Sequence, residues 1–206
     1  LFPLFLTLTS AMLYVLCFPP FSLSLLAWVA LVPFFIAISC VRPRLAACYG
    51  LLWGVVMAHS VGWWFATLAG NYFGVSPWAG AVATFGVSIL LFGVYFSAFA
   101  AWFSWLVRRQ AMTPFLVATG WGVCEFARAN LLCGNPFVLF GYSQVAHPRL
   151  MQIADLTGPY GVGMLLALVS ACLASYFSRS LLGRRLALSV FGTVIAVGAA
   201  LGYGEW

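Results

Sequence analysis

The stretch PWAGAVATFGVSILLFGVYFSAFAAWFSWLV, from Pro77 to Val107, decides the fold class. It contains no charged residue and is followed at once by Arg108 and Arg109. At about 1.5 Å per residue, a helix of this length measures roughly 46 Å. A hydrocarbon core is only about 30 Å thick. The stretch therefore predicts a transmembrane helix that tilts or protrudes from the bilayer.

The composition extends this prediction to the whole chain. Hydrophobic residues make up 65% of the sequence and charged residues 6%, with a mean hydropathy of +1.08. A soluble domain has about 25% charged residues, so a soluble surface is excluded. Lipid cannot satisfy backbone polar groups, which favours helices, and a membrane β-barrel would show alternating segments of about 10 residues instead. We predict an all-α, polytopic transmembrane helix bundle.

The apolar runs and the breaks between them predict about seven spans in one transmembrane domain over residues 1–206. The predicted spans are Leu1–Phe18, Phe21–Cys40, Leu45–Ala69, Pro77–Val107, Thr113–Leu132, Thr157–Phe177 and a run after Arg185 that ends at about Tyr203. The chain begins inside one apolar run and ends directly after another. We therefore expect it to be a piece of a longer protein.

The arginines predict the orientation. Seven of the nine arginines fall in loops of one parity, namely Arg42, Arg44, Arg108, Arg109, Arg179, Arg184 and Arg185. The positive-inside rule places these loops in the cytoplasm. The stretch after the fifth span, and Trp206, then face outward. The net charge of +6 is thus a topology signal and an attraction to anionic lipids, and does not indicate nucleic-acid binding.

The polar residues gather between Trp121 and Tyr160, a stretch that holds two of the three acidic residues. Trp121, Glu125 and Arg128 are spaced i, i+4 and i+7, so they share one helix face. Glu125 and Arg128 can pair along that face. An ionisable pair near the end of a span marks either a functional site or a structural ion pair that fixes the helix. The spacing leaves both alternatives open.

A short apolar segment, Val138–Tyr142, follows a turn at residues 134–137. It is too short to span a bilayer and too apolar for an open loop. We expect an outer-face interfacial or re-entrant segment whose backbone is covered by protein or lines a wet cavity. Tyr142, Ser143 and Gln144 are then expected at headgroup depth.

Other candidates have simpler explanations. His59 is expected to bond to a neighbouring helix, and His147 to be a solvated loop residue, while the sequence leaves the roles of both open. The aromatic residues around the loop at residues 70–76, Trp63 among them, indicate either an interfacial belt or the wall of a lipid cleft. The six cysteines lack metal-ligand spacing, so we predict neither a metal site nor a cofactor.

The same polar stretch resembles a known family. The motifs that carry the resemblance are Trp121-x3-Glu125-x2-Arg128, Gly134-x-Pro136-Phe137-x2-Phe140-Gly141-Tyr142-Ser143-Gln144, Pro148-Arg149-Leu150, Gly158-x-Tyr160-Gly161, Phe18-Pro19-Pro20-Phe21 and Gly62-Trp63-Trp64. With these motifs, the chain looks like the membrane domain of bacterial apolipoprotein N-acyltransferases. Two departures are Ala129, where the family usually has Gly, and Asn135-Pro136-Phe137, where it usually has Phe-Pro-Trp.

The resemblance implies an activity and a location. Such enzymes of the bacterial cytoplasmic (inner) membrane move an acyl chain from a phospholipid to the N-terminal diacylglyceryl-cysteine of a lipoprotein, through a cysteine thioester. A nitrilase-like domain supplies their Glu-Lys-Cys triad. This chain contains no lysine, so the triad is expected in a domain after Trp206, and the chain alone is expected to be inactive.

The part left to this chain is to position lipid substrates. We predict six residues for this role, namely Glu125, Arg128, Pro136, Tyr142, Gln144 and Trp63. If Arg128 binds a lipid phosphate, Arg128→Ala should lower transfer and leave protein yield intact. Loss of folded protein would instead indicate a structural role.

Two alternatives belong to other classes. One is a non-catalytic membrane anchor or scaffold for a separate enzyme, such as a polyprenol-phosphate mannosyltransferase. The other is a transporter, which is disfavoured because most spans lack ionisable residues at their centre.

Overall fold

The computed structural model describes residues 1–132, 134–178 and 183–205, which form α-helices, 3-10 turns and a π turn, and no strand. The helices are α1 (Phe2–Leu16), α2 (Val32–Ser39), α3 (Pro43–Val61), α4 (Trp63–Phe73), α5 (Pro77–Ser88), α6 (Val94–Arg108), α7 (Pro114–Asn130), α8 (Pro148–Met151), α9 (Ala154–Phe177) and α10 (Gly183–Tyr203). The 3-10 turns cover Ser24–Trp28 and Phe140–Gln144. Arg179 and Trp206, which the charge pattern assigned to opposite sides of the membrane, lie outside the described residues.

The long apolar run forms one continuous helical rod. Helix α5, a π turn at Ile89–Gly93 and α6 together cover Pro77–Arg108, 32 residues with a mean hydropathy of 2.0. Ser76 caps its start, because its hydroxyl oxygen accepts the N–H of Ala79 at 3.3 Å, and Pro77 occupies the first turn. The predicted long helix is confirmed.

Four helical segments of the described chain are long and apolar enough to cross a membrane: α3, the α5–α6 rod, α9 and α10. Two shorter apolar segments lie at Phe2–Leu16 and Ser24–Ser39, and α7 has 17 residues. The all-α membrane bundle is therefore confirmed, while the count of seven spans stays a prediction.

Three predicted spans have different bounds in the structure. The run Leu45–Ala69 is divided, because Gly62 leaves the helical region (φ −94°, ψ 21°) between α3 and α4. The run Phe21–Cys40 becomes the turn Ser24–Trp28 and then α2, whose first turn carries a proline that suits a new start. Helix α9 begins at Ala154 and is interrupted at Gly158 (φ 64°, ψ −170°), a conformation that only glycine adopts readily.

The core of the bundle is aromatic and centres on two enclosed indoles. The ring of Trp121 in α7 meets that of Trp53 in α3 edge-on, with centroids 5.7 Å apart, and both side chains are fully buried. Such edge-to-face pairs suit the charge distribution of aromatic rings. The Nε1 of Trp53 donates to Ser10 in α1 at 3.1 Å. Helices α1, α3 and α7 therefore contact one another at these indoles, about one turn of α7 before Glu125.

Candidate functional site

The predicted polar face of α7 exists, and it points inward. Thr113 caps the helix by accepting the N–H of Leu116 at 3.2 Å, and the helical period puts Trp121, Glu125 and Arg128 on one side. All three side chains are buried, although those of Glu125 and Arg128 are ionisable. In a bundle this apolar, such groups need partners, and the partners come from the segment that follows α7.

Glu125 holds the first of these partners. Its Oε1 accepts the backbone N–H of Phe140 at 2.7 Å, at the start of the second 3-10 turn. Its Oε2 lies against Gly163 in α9, where an added Cβ atom would come within 2.6 Å of that oxygen. The carboxyl group thus fills a space that exists because residue 163 has no side chain.

Arg128 holds the segment before that turn. Its Nη1 donates to the carbonyl oxygens of Asn135 at 2.9 Å and Phe137 at 2.7 Å, and its Nη2 to that of Val138 at 3.5 Å. The guanidinium carbon also lies 4.7 Å from the ring centre of Phe92, a cation–π contact. The fork of donors therefore holds three carbonyl groups of one loop.

The direct ion pair that the spacing allows between Glu125 and Arg128 does not form. The one ion pair in the described part of the chain joins Arg149 to Glu205 at 2.8 Å. The physical reason is that the irregular segment at residues 134–140 presents unpaired carbonyls and an N–H to the end of α7, and each charge binds these groups instead of the other. We call this arrangement the loop clamp: Glu125, Arg128 and the backbone of residues 135–140.

The predicted re-entrant segment is an enclosed 3-10 turn. Phe140, Gly141, Ser143 and Gln144 are buried, and Tyr14 in α1 donates its hydroxyl to the carbonyl of Val138 at 2.9 Å. Protein therefore covers this backbone, as expected. Of the three residues expected at headgroup depth, Tyr142 is 43% exposed, whereas Ser143 and Gln144 are almost fully enclosed.

Gln144 belongs to a second polar group that sequence reasoning missed. Its Nε2 donates to the carbonyl of Ser24 at 2.8 Å, and the hydroxyl of Ser24 lies 2.8 Å from Nε2 of His147. His147 is therefore bonded and half-buried instead of solvated. No local signal marked Ser24, which is more than a hundred residues away in the chain.

Three other candidate residues lie at the surface. Pro136 is exposed, between two residues whose carbonyls Arg128 binds. Trp63 is 67% exposed at the start of α4. His59 is also exposed and makes no hydrogen bond to the described residues, so the expected bond to a neighbouring helix does not form.

The loop clamp forms one wall of an apolar cavity of about 260 Å³. Asn135, Phe137 and Val138 line it on the clamped side, and α3, α4, α5 and the π turn complete it. The lining residues from these helices are mainly apolar, and they are Ala58, Gly62, Trp64, Phe65, Thr84, Val87, Ser88, Leu91 and Phe92. Trp64, and not its neighbour Trp63, is the indole in the cavity wall.

Comparison with known proteins identifies the family. A model described as "Apolipoprotein N-acyltransferase N-terminal domain" matches residues 10–172. The chain belongs to the apolipoprotein N-acyltransferase family. The matched residues include the loop clamp, Ser24, His147 and every residue that lines the cavity, whereas α10 lies beyond them.

Individual relatives agree with this assignment to the apolipoprotein N-acyltransferases. The chain is 33% identical to a protein of that name from Geobacter metallireducens over 168 residues, which are 80% of this chain and 31% of that protein. It is 33% identical to one from Methylococcus capsulatus over 201 residues, 94% of this chain and 38% of the relative. The chain thus spans about a third of the length of these relatives.

Proposed function

We propose that this chain is the membrane part of an N-acyltransferase that moves an acyl chain from a phospholipid to the N-terminal diacylglyceryl-cysteine of lipoproteins. Within that reaction, its role is to position the lipid substrates. The covalent steps belong to a nitrilase-like domain outside this chain, since the chain has no lysine to complete a Glu-Lys-Cys triad. The setting is the bacterial inner membrane, with the loop clamp on the outer face.

The observation that carries the proposal is the apolar cavity beside the loop clamp. Two of the elements that line it, α3 and the α5–α6 rod, are long and apolar enough to cross a membrane, and the cavity is partly open. An acyl chain is the natural occupant of such a space, because burying each methylene from water contributes about 0.8 kcal/mol. Holding the chain fixes where its ester carbonyl lies, and such positioning supplies several kcal/mol of a reaction barrier.

The six candidate residues divide into two groups in this proposal. Glu125, Arg128 and Gln144 are enclosed, so they act by holding the backbone that shapes the site. Trp63, Pro136 and Tyr142 are exposed, and in this proposal they contact the glycerol and headgroup portions of the lipids. Aromatic side chains with a polar edge suit that depth of a bilayer.

Val87→Phe tests the cavity, because Val87 lines it from α5 and a phenyl ring would fill it. In the full-length protein, transfer from phospholipid to a diacylated N-terminal cysteine peptide should fall about tenfold or more, the effect of one misfitted group in an apolar pocket. Val82→Phe is the matched control, since Val82 is an exposed residue of the same helix outside the cavity.

The two variants separate the outcomes. Full transfer by folded Val87→Phe protein would show that the cavity does not hold the acyl chain. Equal losses in both variants would assign the effect to the lipid-facing surface of α5. Absence of transfer by the unaltered full-length protein would overturn the proposed function itself.

A further inference from the structure

A second cavity lies at the opposite, arginine-rich end of the bundle. It measures about 500 Å³ and is formed by the connection between α6 and α7 and the first turns of α10. Its polar rim contains Gln110, Thr113, Arg185 and Ser189, and its apolar part Met112, Phe115 and Leu188. The volume falls within the roughly 300–1,000 Å³ of typical ligand pockets.

The charge around this cavity is positive and uncompensated within the described chain. Arg108 and Arg109 end α6, and Arg184 and Arg185 begin α10, all four with exposed side chains. The three acidic residues of the chain are Glu125, Asp155 and Glu205. Glu125 is enclosed in the loop clamp, and Glu205 pairs with Arg149 near the other end of α10. None of the three lines the cavity.

We propose that this cavity binds an anionic glycerophospholipid, with its phosphate at Arg185 and its acyl chains along Phe115 and Leu188. A lining that combines an arginine and polar groups with apolar side chains matches a molecule that joins a negative headgroup to a hydrocarbon tail. The guanidinium group suits phosphate oxygens, and the side chains of Gln110 and Thr113 add neutral donors, whereas the hydroxyl of Ser189 donates to the carbonyl oxygen of Arg185 at 3.0 Å. A zwitterionic headgroup also carries a cation, and no acidic side chain lines this cavity to pair with it.

The site is separate from the proposed substrate cavity. None of its lining residues lines the cavity beside the loop clamp, and the arginine pattern places it in the cytoplasmic leaflet. Basic pockets between helices on that side bind anionic headgroups in other membrane proteins. Lipid bound here would tie α10 to the α6–α7 connection and stabilise the bundle, without taking part in acyl transfer.

The test compares lipid retention by the full-length protein in detergent doped with phosphatidylglycerol or phosphatidylcholine, measured by native mass spectrometry. Unaltered protein should retain phosphatidylglycerol preferentially. Arg185→Gln should lower that affinity about fivefold, the contribution of one arginine to an anionic lipid surface. Arg44→Gln is the matched control, because Arg44 is exposed on another predicted cytoplasmic loop and lines none of the cavities described above.

A second variant distinguishes a pocket from diffuse charge. Leu188→Trp keeps every arginine and fills the apolar part, so it should also release phosphatidylglycerol. Equal retention by Leu188→Trp and unaltered protein, or equal loss in Arg185→Gln and Arg44→Gln, would overturn the proposal. Displacement of the lipid by inorganic phosphate alone would also overturn it, because the site would then take a free anion.

Discussion

At the scale of single residues, the loop clamp shows how a very apolar bundle accommodates a buried guanidinium. Arg128 has 1% of its surface exposed, yet two backbone carbonyls lie within 2.9 Å of Nη1. Hydrogen bonds from a charged donor are stronger than neutral ones, and the carbonyls would otherwise lack partners. Arg128 therefore stabilises the loop and its own burial through the same contacts.

This geometry predicts that Arg128→Ala destabilises the protein instead of only lowering transfer. Removing the guanidinium leaves the carbonyls of Asn135 and Phe137 unpaired, at a cost of about 3 kcal/mol or more. The thermal midpoint of the full-length protein in detergent should fall, and folded yield should fall with it. Arg149→Ala is the control, because an exposed ion pair contributes only about 0–1 kcal/mol.

The opposite result would favour the expectation drawn from sequence alone. Suppose that the Arg128→Ala protein has the same thermal midpoint as the Arg149→Ala control but loses transfer. The guanidinium then acts on a lipid phosphate, and its contacts with the backbone contribute little to stability. Arg128→Lys helps to separate the two, since lysine keeps the charge and loses the fork of donors.

The sequence predicted which residues share one face of α7, but it did not predict the groups to which they form hydrogen bonds. The spacing of Trp121, Glu125 and Arg128 fixes a common direction, because a helix has a regular period. The partners belong to an irregular segment, and no period relates position 128 to positions 135 and 137. Ser24 and Gln144 illustrate the same limit over a longer distance, since only the folded chain brings them within 2.8 Å.

At the scale of elements, the α5–α6 rod packs tightly against α3. Gly50 and Gly54 lie one turn apart on α3, and a Cβ added at Gly50 would fall on the carbonyl oxygen of Phe96 in α6. In membranes, small residues at this spacing let helix backbones approach closely. The contact places α3 beside the π turn and so sets the width of the cavity next to the loop clamp.

Gly50→Ala should force α3 and α6 apart and lower stability by about 1–3 kcal/mol, a usual cost of overpacking. Gly86→Ala is the matched control, because Gly86 is helical and no atom lies within 4 Å of an added Cβ. That change should be neutral or stabilising by up to about 1 kcal/mol. Thermal unfolding in detergent measures both, and equal midpoints would show that α3 and α6 separate without cost.

The elements also show what apolar runs predict and what they do not. The run Pro77–Val107 predicted a long helix because it contains no charged residue and no proline after its first position. The run Leu45–Ala69 looks equally continuous, yet α3 ends at Val61. Lipid accepts any apolar residue, so hydropathy hardly changes at a glycine such as Gly62. Hydropathy therefore does not predict the break between α3 and α4.

At the scale of the whole molecule, the arginine pattern predicts one orientation. Asn71 in α4 and Ala111 in the α6–α7 connection are exposed at opposite ends of the α5–α6 rod. The positive-inside rule assigns Asn71 to the outer face and Ala111 to the cytoplasm. The loop clamp would then lie near the outer face, and the basic cavity in the inner leaflet.

Cysteine labelling tests this orientation in intact cells, after the six native cysteines of the chain are replaced by alanine. Asn71→Cys should react with a membrane-impermeant maleimide, and Ala111→Cys only after the cells are permeabilised. The reverse pattern would invert the topology. It would also place the loop clamp in the cytoplasm, against the orientation given in the proposed function.

The loop clamp has a consequence for how the protein is made. Arg128 finds its carbonyl partners 7, 9 and 10 residues downstream, and Glu125 finds its N–H partner 15 residues downstream. These hydrogen-bond partners are thus present once synthesis has passed residue 140, before α9 and α10 exist, whereas Oε2 of Glu125 lies against Gly163 of α9. An unpaired charge in lipid is costly, so a partner made early shortens the time for which that cost applies. The hydrogen bonds of the loop clamp therefore need no residue of α9 or α10.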